Sequence, residues 1–265
     1  MSTVNYPWLR DSAAAYAATI GICFGTTAAY GWTGAGAVAF CVAFSLLPAG
    51  FVYWRWRATR RDFDGFFGLS KNSLIKIVVS TYRIKHDPLT KQQIYYKTHS
   101  GGGPSAGAEG YHLGLQTATT AILSVIELGK LTNQKLNVVG DEEPGKMEGP
   151  VISLGSTTTN VVTGEIIHLL PNDLTVVFDS NSLRCWLHPD PYKSDKNLDY
   201  AVLIRVRRDN QVSFACAGID EEGTVALATH LLVKWRNLPL SNFIQIFSCC
   251  KKTLQVKPLS EPKNW

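Results

Sequence analysis

Residues 12–54 read SAAAYAATIGICFGTTAAYGWTGAGAVAFCVAFSLLPAGFVYW. About 43 residues pass without an Asp, Glu, Lys, Arg or His, and a bilayer crossing takes roughly 20 apolar residues, so the stretch suffices for two crossings. It predicts a helical hairpin with a first pass from Ala13 to Tyr30 and a second from Ala35 to Trp54. The glycines of Gly31-Trp32-Thr33-Gly34 permit the tight reversal between them. Arg10 precedes the hairpin and Arg55, Arg57, Arg60 and Arg61 follow it, while the turn carries no charge. By the positive-inside rule both ends then lie in the cytoplasm. The expectation is an inner (plasma) membrane, multi-pass protein with both termini cytoplasmic. Gly21 and Gly25, at GxxxG spacing, favour close helix contact, and without ionisable groups the pair has no ion path of its own.

Outward from this stretch the chain changes character. Five of the 26 basic and one of the 21 acidic residues precede Asp62, which leaves 21 basic and 20 acidic beyond it. The near-neutral remainder excludes a nucleic-acid polymer as partner and assigns the formal charge of +5 to a lipid surface. Six cysteines without CxxC or Cys/His ligand spacing argue for a reduced compartment and against a structural metal. The expected organisation is a two-helix hairpin with basic flanks over 1–61 and a cytosolic α/β ligand-binding domain over 62–265. Asp62 to Lys71 reads as a juxtamembrane connector whose Phe63, Phe66 and Phe67 rest on the interface or on the domain.

Within the domain, β-branched runs bounded by turn residues predict strands at Leu74–Ser80, Ile94–Tyr96, Leu136–Val139, Pro150–Leu154, Leu174–Phe178 and Leu183–Leu187. An antiparallel pair follows at Tyr200–Val206 and Val212–Cys216, with a last strand or hairpin from Phe243–Phe247 and Thr253–Val256. Helical spacing runs from Glu109 to Leu128, from after Asn160 to about Leu169, and from Val225 to Trp235. The predicted fold is a membrane α-helical hairpin plus a Rossmann-like α/β domain with a mixed sheet.

Three glycine-bearing turns each precede a helix: Ser100-Gly101-Gly102-Gly103, Gly155-Ser156-Thr157-Thr158-Thr159-Asn160 and Gly218-Ile219-Asp220-Glu221-Glu222-Gly223-Thr224. In open α/β sheets ligands gather outside the carboxyl ends of the strands. The candidate ligand site therefore comprises Ser100, Gly101, Gly102, Gly103, Gly155, Ser156, Thr157, Asn160, Gly218, Asp220, Gly223 and Thr224, offering N–H donors, hydroxyls and one amide to phosphate or ribose groups. The first turn lacks a P-loop lysine, which excludes a Walker-type ATPase. Catalytic signals are weaker. His86, His99, His112, His168, His188 and His230 form no ligand pair, and the reading names no catalytic residue and no metal site. His99, beside the glycine-rich turn, is the one histidine to test as a base, while Glu109, Asp220, Glu221 and Glu222 suit helix first turns or ribose hydroxyls.

A two-pass hairpin followed by an α/β domain carrying SGGGPSAG, GSTTTN and AGIDEEGT resembles the two-transmembrane effectors of bacterial anti-phage nucleotide-signalling systems. The AGIDEEGT turn is similar to the Gly-Gly-x-Gly-Thr turn of SLOG nucleotide-binding domains, with Glu222 where that pattern has glycine. The resemblance implies a non-enzymatic receptor that senses a nucleotide second messenger, needs no cofactor, and works with the lipid bilayer and further copies of itself as partners, its hairpins clustering to perturb the membrane. Two other readings stay open on the residues alone: a membrane-tethered enzyme acting on a nucleotide or NAD-type substrate, and a non-catalytic membrane scaffold.

Overall fold

The computed structural model describes residues 53–54, 57–70, 73–86, 93–96, 111–112, 115–132, 134–179 and 181–265. The chain divides into two units, Met1–Asp62 and Phe63–Trp265. In the first, the described residues 53–54 and 57–62 are helical.

The second unit is built on a mixed sheet. Its strands are β1 (Leu74–Val79), β5 (Lys135–Gly140), β6 (Val151–Leu154), β10 (Leu198–Arg208), β11 (Gln211–Gly218), β12 (Phe243–Cys250), β13 (Gln255–Pro258) and β14 (Lys263–Asn264). They run in the order β13-β12-β10-β11-β6-β1-β5, with β14 beside β12. The half β11-β6-β1-β5 is parallel and the half β13-β12-β10-β11 antiparallel. Two small antiparallel sheets accompany it: β2 (Tyr82–His86), β3 (Gln93–Tyr96) and β4 (Tyr111–His112) leave and rejoin the chain just after β1, and β7 (Val176–Asp179), β8 (Ser182–Cys185) and β9 (His188–Lys193) form a meander.

Parallel strands covered on both faces read as continuous apolar runs, and β1 (LIKIVV) and β6 (VISL) do so. One face carries α1 (residues 63–67), α2 (Leu115–Leu131) and α4 (Glu221–Lys234). Phe66, Leu128, Leu227 and Leu231 there pack on Ile77, Leu154, Leu203, Phe214 and Phe247. The opposite face carries α3 (Val161–Ile167) and the meander, with Val162, Ile166, Phe178 and Leu183 packed on Val78, Val202, Ile204 and Ile246. The β10–β11 turn holds Asp209 at φ 50° and Asn210 at φ 66°. Two successive positive φ values match the twist of a two-residue hairpin, and Asp and Asn tolerate them better than other side-chain-bearing residues.

The fold departs from expectation in several places. Among the described residues no helix is long and apolar enough to cross a membrane. At 17 residues α2 is ~26 Å long, short of the ~30 Å hydrocarbon core, and it buries one side on the sheet. This overturns the expected membrane α-helical hairpin joined to a Rossmann-like cytosolic domain, and with it the inner-membrane, multi-pass placement; the described architecture is an α/β domain on a mixed sheet. The passes expected at Ala13–Tyr30 and Ala35–Trp54 lie, apart from Tyr53 and Trp54, outside the described residues. Phe63, Phe66 and Phe67 are core residues with at most 1% exposure. Phe66 lies 5.2 Å from Phe214 and Phe63 sits edge-on to Trp235 at 5.3 Å, so of the two placements expected for these rings the domain is the one found. The helix expected from Glu109 starts at Leu115, because Tyr111–His112 pairs with β2. β9 reads as a charged loop in sequence, yet its residues complete the meander.

Arg205 holds α1 in place. Its side chain is fully buried, and its Nε and Nη2 donate to the Phe66 carbonyl at 3.2 and 3.0 Å. Nη1 donates to the carbonyls of Leu240 and Ser241. Desolvation, with a smaller push from Arg207, lowers its pKa to about 10, so it stays charged at neutral pH.

Candidate functional site

The chain passes from β1 to β5 on one side and then to β6 on the other, so the strand order reverses at β1. In such sheets the crevice outside the carboxyl ends at the reversal is the favoured ligand position. Here that edge is formed by Ser80 and Thr81 after β1, Asp141 after β5, the Gly155–Asn160 turn after β6 and the Gly218–Thr224 turn after β11.

Gly155 sits at φ +122°, and a Cβ there would lie 2.6 Å from Ser80 Oγ and 3.0 Å from Thr159 Oγ1. Glycine thus lets the β6 turn close onto the end of β1. Asn160, fully buried, ties the turn together from both ends of its amide: Nδ2 donates to the carbonyls of Leu154 (2.9 Å) and Val78 (3.4 Å), and Oδ1 accepts from the N–H groups of Val162 (3.0 Å) and Thr163 (3.3 Å). The remaining N–H at the start of α3, that of Val161, donates to Asp141 Oδ2 at 3.0 Å. Asp141 is itself fully buried, and its Oδ1 accepts from the Thr81 N–H (2.9 Å) and hydroxyl (2.8 Å). The first-turn donors of α3 are therefore satisfied by the chain's own Asn160 and Asp141.

The turn after β11 repeats the device with other residues. Asp199 on β10 is fully buried beneath the start of α4, where its Oδ2 accepts from the N–H groups of Asp220 (3.0 Å) and Gly223 (2.9 Å) and its Oδ1 from that of Tyr200 (2.7 Å). A Cβ on Gly223 would fall on that carboxylate. Thr224 Oγ1 accepts from the Gly218 N–H at 3.0 Å. Burial raises the Asp199 pKa to about 6 against the lowering effect of these N–H groups, with the nearby Asp220 charge adding to the rise. Glu222 is half-buried at the helix start, a position that an acidic side chain fills with favourable dipole energy.

Above these buried carboxylates lies a polar rim. Asp220 Oδ2 accepts from Lys251 Nζ at 2.5 Å and from the hydroxyl of Ser194. Burial acts to raise the Asp220 pKa, but Lys251 and Ser194 outweigh it and hold the carboxyl below its ordinary value; Lys251 is raised in return, against its own desolvation. Thr158 is exposed and shares a 2.7 Å hydrogen bond with Ser156.

Of the residues expected to bind ligand, Gly155, Ser156, Thr157 and Asn160 leave β6, and Gly218, Asp220, Gly223 and Thr224 leave its neighbour β11, so the two turns share one edge. Within them Ser156, Asn160, Gly223 and Thr224 are buried and Asp220 and Thr157 reach the rim. Ser100, Gly101, Gly102 and Gly103 lie outside the described residues, as do His99 and Glu109. Sequence reasoning missed Asp141, Asp199, Ser194 and Lys251. A carboxylate at the carboxyl end of a strand, as in Val139-Gly140-Asp141, was the available signal for the first. Among the described residues no cluster of three or more His, Cys, Asp or Glu could hold a metal ion. Fold and edge together define an α/β domain with two self-capped helix starts and a hydroxyl, carboxylate and ammonium cluster beside the start of α4, at the carboxyl ends of β11 and β12. Comparison with protein-family models, with curated proteins and with solved structures finds no match.

Proposed function

We propose that the chain is a non-catalytic sensor for a small nucleotide-type ligand, bound at the carboxyl edge where the turns from β6 and β11 meet. The observation that carries this reading is the Asp220–Lys251–Ser194 cluster on the rim of that edge. A carboxylate poised beside a helix start accepts hydrogen bonds from a ribose diol, and an adjacent ammonium suits the phosphate that accompanies it. The helix dipoles play a lesser part than the glycine turns suggest, since Asp141 and Asp199 already fill them. The setting in this reading is the receptor side of the anti-phage nucleotide-signalling systems that the chain resembles.

The test uses the full chain with cyclic mononucleotides, cyclic dinucleotides, NAD and inorganic phosphate, following thermal shift and product formation together. The expected result is a rise in Tm with at least one nucleotide, no turnover, and no comparable rise with phosphate alone. Turnover would replace the sensor by an enzyme, and a panel without any shift would remove the nucleotide reading.

A further inference from the structure

The main sheet has two ends of different character. At one end β13 finishes in Lys257-Pro258, and the edge is split between two short strands, β13 along Phe247–Cys250 of β12 and β14 along Phe243–Ile244, devices that blunt an edge against further pairing. At the other end lies β5. Val79 is in register with Gly140, and the Asp141 N–H donates to the Val79 carbonyl at 3.0 Å. One residue back, the Gly140 N–H therefore points away from β1, where Glu143 Oε1 accepts it at 2.8 Å. Successive residues of a strand alternate, so the N–H and C=O of Leu136 and Val138 also point outward. Beside this edge α2 turns Ile122, Leu123 and Ile126 outward at 59, 52 and 48% exposure, and Val138 is 37% exposed. Helix and strand adjoin, with Leu136 packed on the same core cluster and within reach of Gly129. A strand edge with outward Leu136 and Val138 amides next to an apolar helix face is a combination that proteins seldom leave open to water.

We propose that this surface joins two copies of the chain, β5 to β5 in antiparallel pairing about a two-fold axis, with the α2 helices covering each other's Ile122 and Ile126. Because the far edge of the main sheet is blunted, the edge of that sheet left for β5 on a second copy is another β5; such isologous pairing closes at two and does not propagate into a fibre. Charge favours the same arrangement. Lys135 begins the strand and Glu142-Glu143 follow it, so antiparallel pairing brings the basic start of one copy toward the acidic end of the other, whereas parallel pairing would align like with like. Six strand residues and the two exposed turns of α2 extend over roughly 20 Å, the scale on which interfaces of about 800 Å² per partner are built. With Leu136 opposite Val138, each Asn137 faces its own counterpart at a non-hydrogen-bonded position, where Cα atoms lie about 4.5 Å apart.

The test is sedimentation of the full chain over a concentration series, alone and as Val138→Pro, Ile126→Lys and Val233→Lys. Proline at 138 removes an outward N–H and leaves the ladder to β1 intact; Val233, 61% exposed on α4, is the control. Wild type and Val233→Lys should dimerise alike, and the other two should weaken the dimer by about tenfold or more. Asn137→Cys should give a disulfide-linked dimer on mild oxidation, since the expected Cα separation falls within disulfide range. A chain that remains monomeric, or a dimer that both Ile126→Lys and Val138→Pro leave intact and Asn137→Cys does not cross-link, would overturn the proposal.

Discussion

Gly223→Ala isolates the contact between the Asp199 carboxylate and the first turn of α4. In an exposed helix this substitution stabilises by about 1 kcal/mol, because alanine is the better helix former. At position 223 the new Cβ lands on Asp199 Oδ2, so the carboxylate must withdraw from the N–H groups of Asp220 and Gly223, 3.0 and 2.9 Å away. Each hydrogen bond to a charged acceptor contributes about 1.5–3 kcal/mol, and loosening both outweighs the propensity gain, for a net loss of about 2–4 kcal/mol. At about 2–4 °C per kcal/mol for a domain of this size, Tm should fall by roughly 5–15 °C. Urea unfolding followed by circular dichroism reads the effect as a lower midpoint at unchanged slope. In an Asp199→Ala background the worst overlap is gone and a 3.2 Å approach to the Gly218 Cα is what is left, so adding Gly223→Ala should then cost much less, which makes the two substitutions strongly non-additive. A Gly223→Ala chain as stable as wild type would refute the placement of Asp199 beneath the helix.

The remaining predictions concern other buried polar groups. Burial raises the Asp199 pKa from 3.8 to about 6, so the folded chain holds this proton more tightly than the unfolded one. The stability that the proton confers is full below pH 3.8 and is lost as pH rises through about 6, a difference of about 3 kcal/mol. Wild type should therefore gain on Asp199→Asn by most of that amount as pH falls from about 7 to 4 in paired urea titrations; a constant gap contradicts the assignment. Asn160→Ala removes the cap of α3 and the amide donor to Leu154, and should destabilise by about 1–3 kcal/mol; a neutral result would mean that the β6 turn does not depend on it. Arg205→Met leaves the carbonyls of Phe66, Leu240 and Ser241 without their buried donor and should cost about 3 kcal/mol or more. Lysine, with one nitrogen in place of the planar fork, should restore only part of that loss in the same unfolding assay.

Strands such as LIKIVV, PVISL and FIQIF were legible because a β-branched or aromatic run bounded by turn residues has few other stable fates. The hairpin at Asp209-Asn210 was legible for the same local reason, its turn residues accepting positive φ. Local patterns reached the turns after β6 and β11 as well, since glycine between a strand and a helix marks a corner. They could not show what fills the corner. Asp199 meets Gly223 from 24 residues away and Asp141 meets Val161 from 20 residues away, and each carboxylate converts an apparent anion site into a self-satisfied helix start. Phe63, Phe66 and Phe67 read equally well as interfacial anchors or as core, because an aromatic cluster after a basic run suits both environments. Arg205, beneath Phe66 with carbonyl partners from two distant segments, supplies the tertiary contact that separates the two. The apolar length of Ser12–Trp54 pointed to a membrane on span alone, and burial on the sheet is what makes the described α2 and α4 helices of this fold.

Calorimetric titration of the full chain with the nucleotide that gives the largest thermal shift, repeated on Asp220→Asn and Lys251→Ala, tests the central claim most directly. The account predicts stoichiometric binding by wild type that each substitution weakens by about tenfold or more, with the fold retained, because Asp220 and Lys251 stand on the rim and not in the core. Binding that neither substitution alters would contradict the placement of the site at this edge.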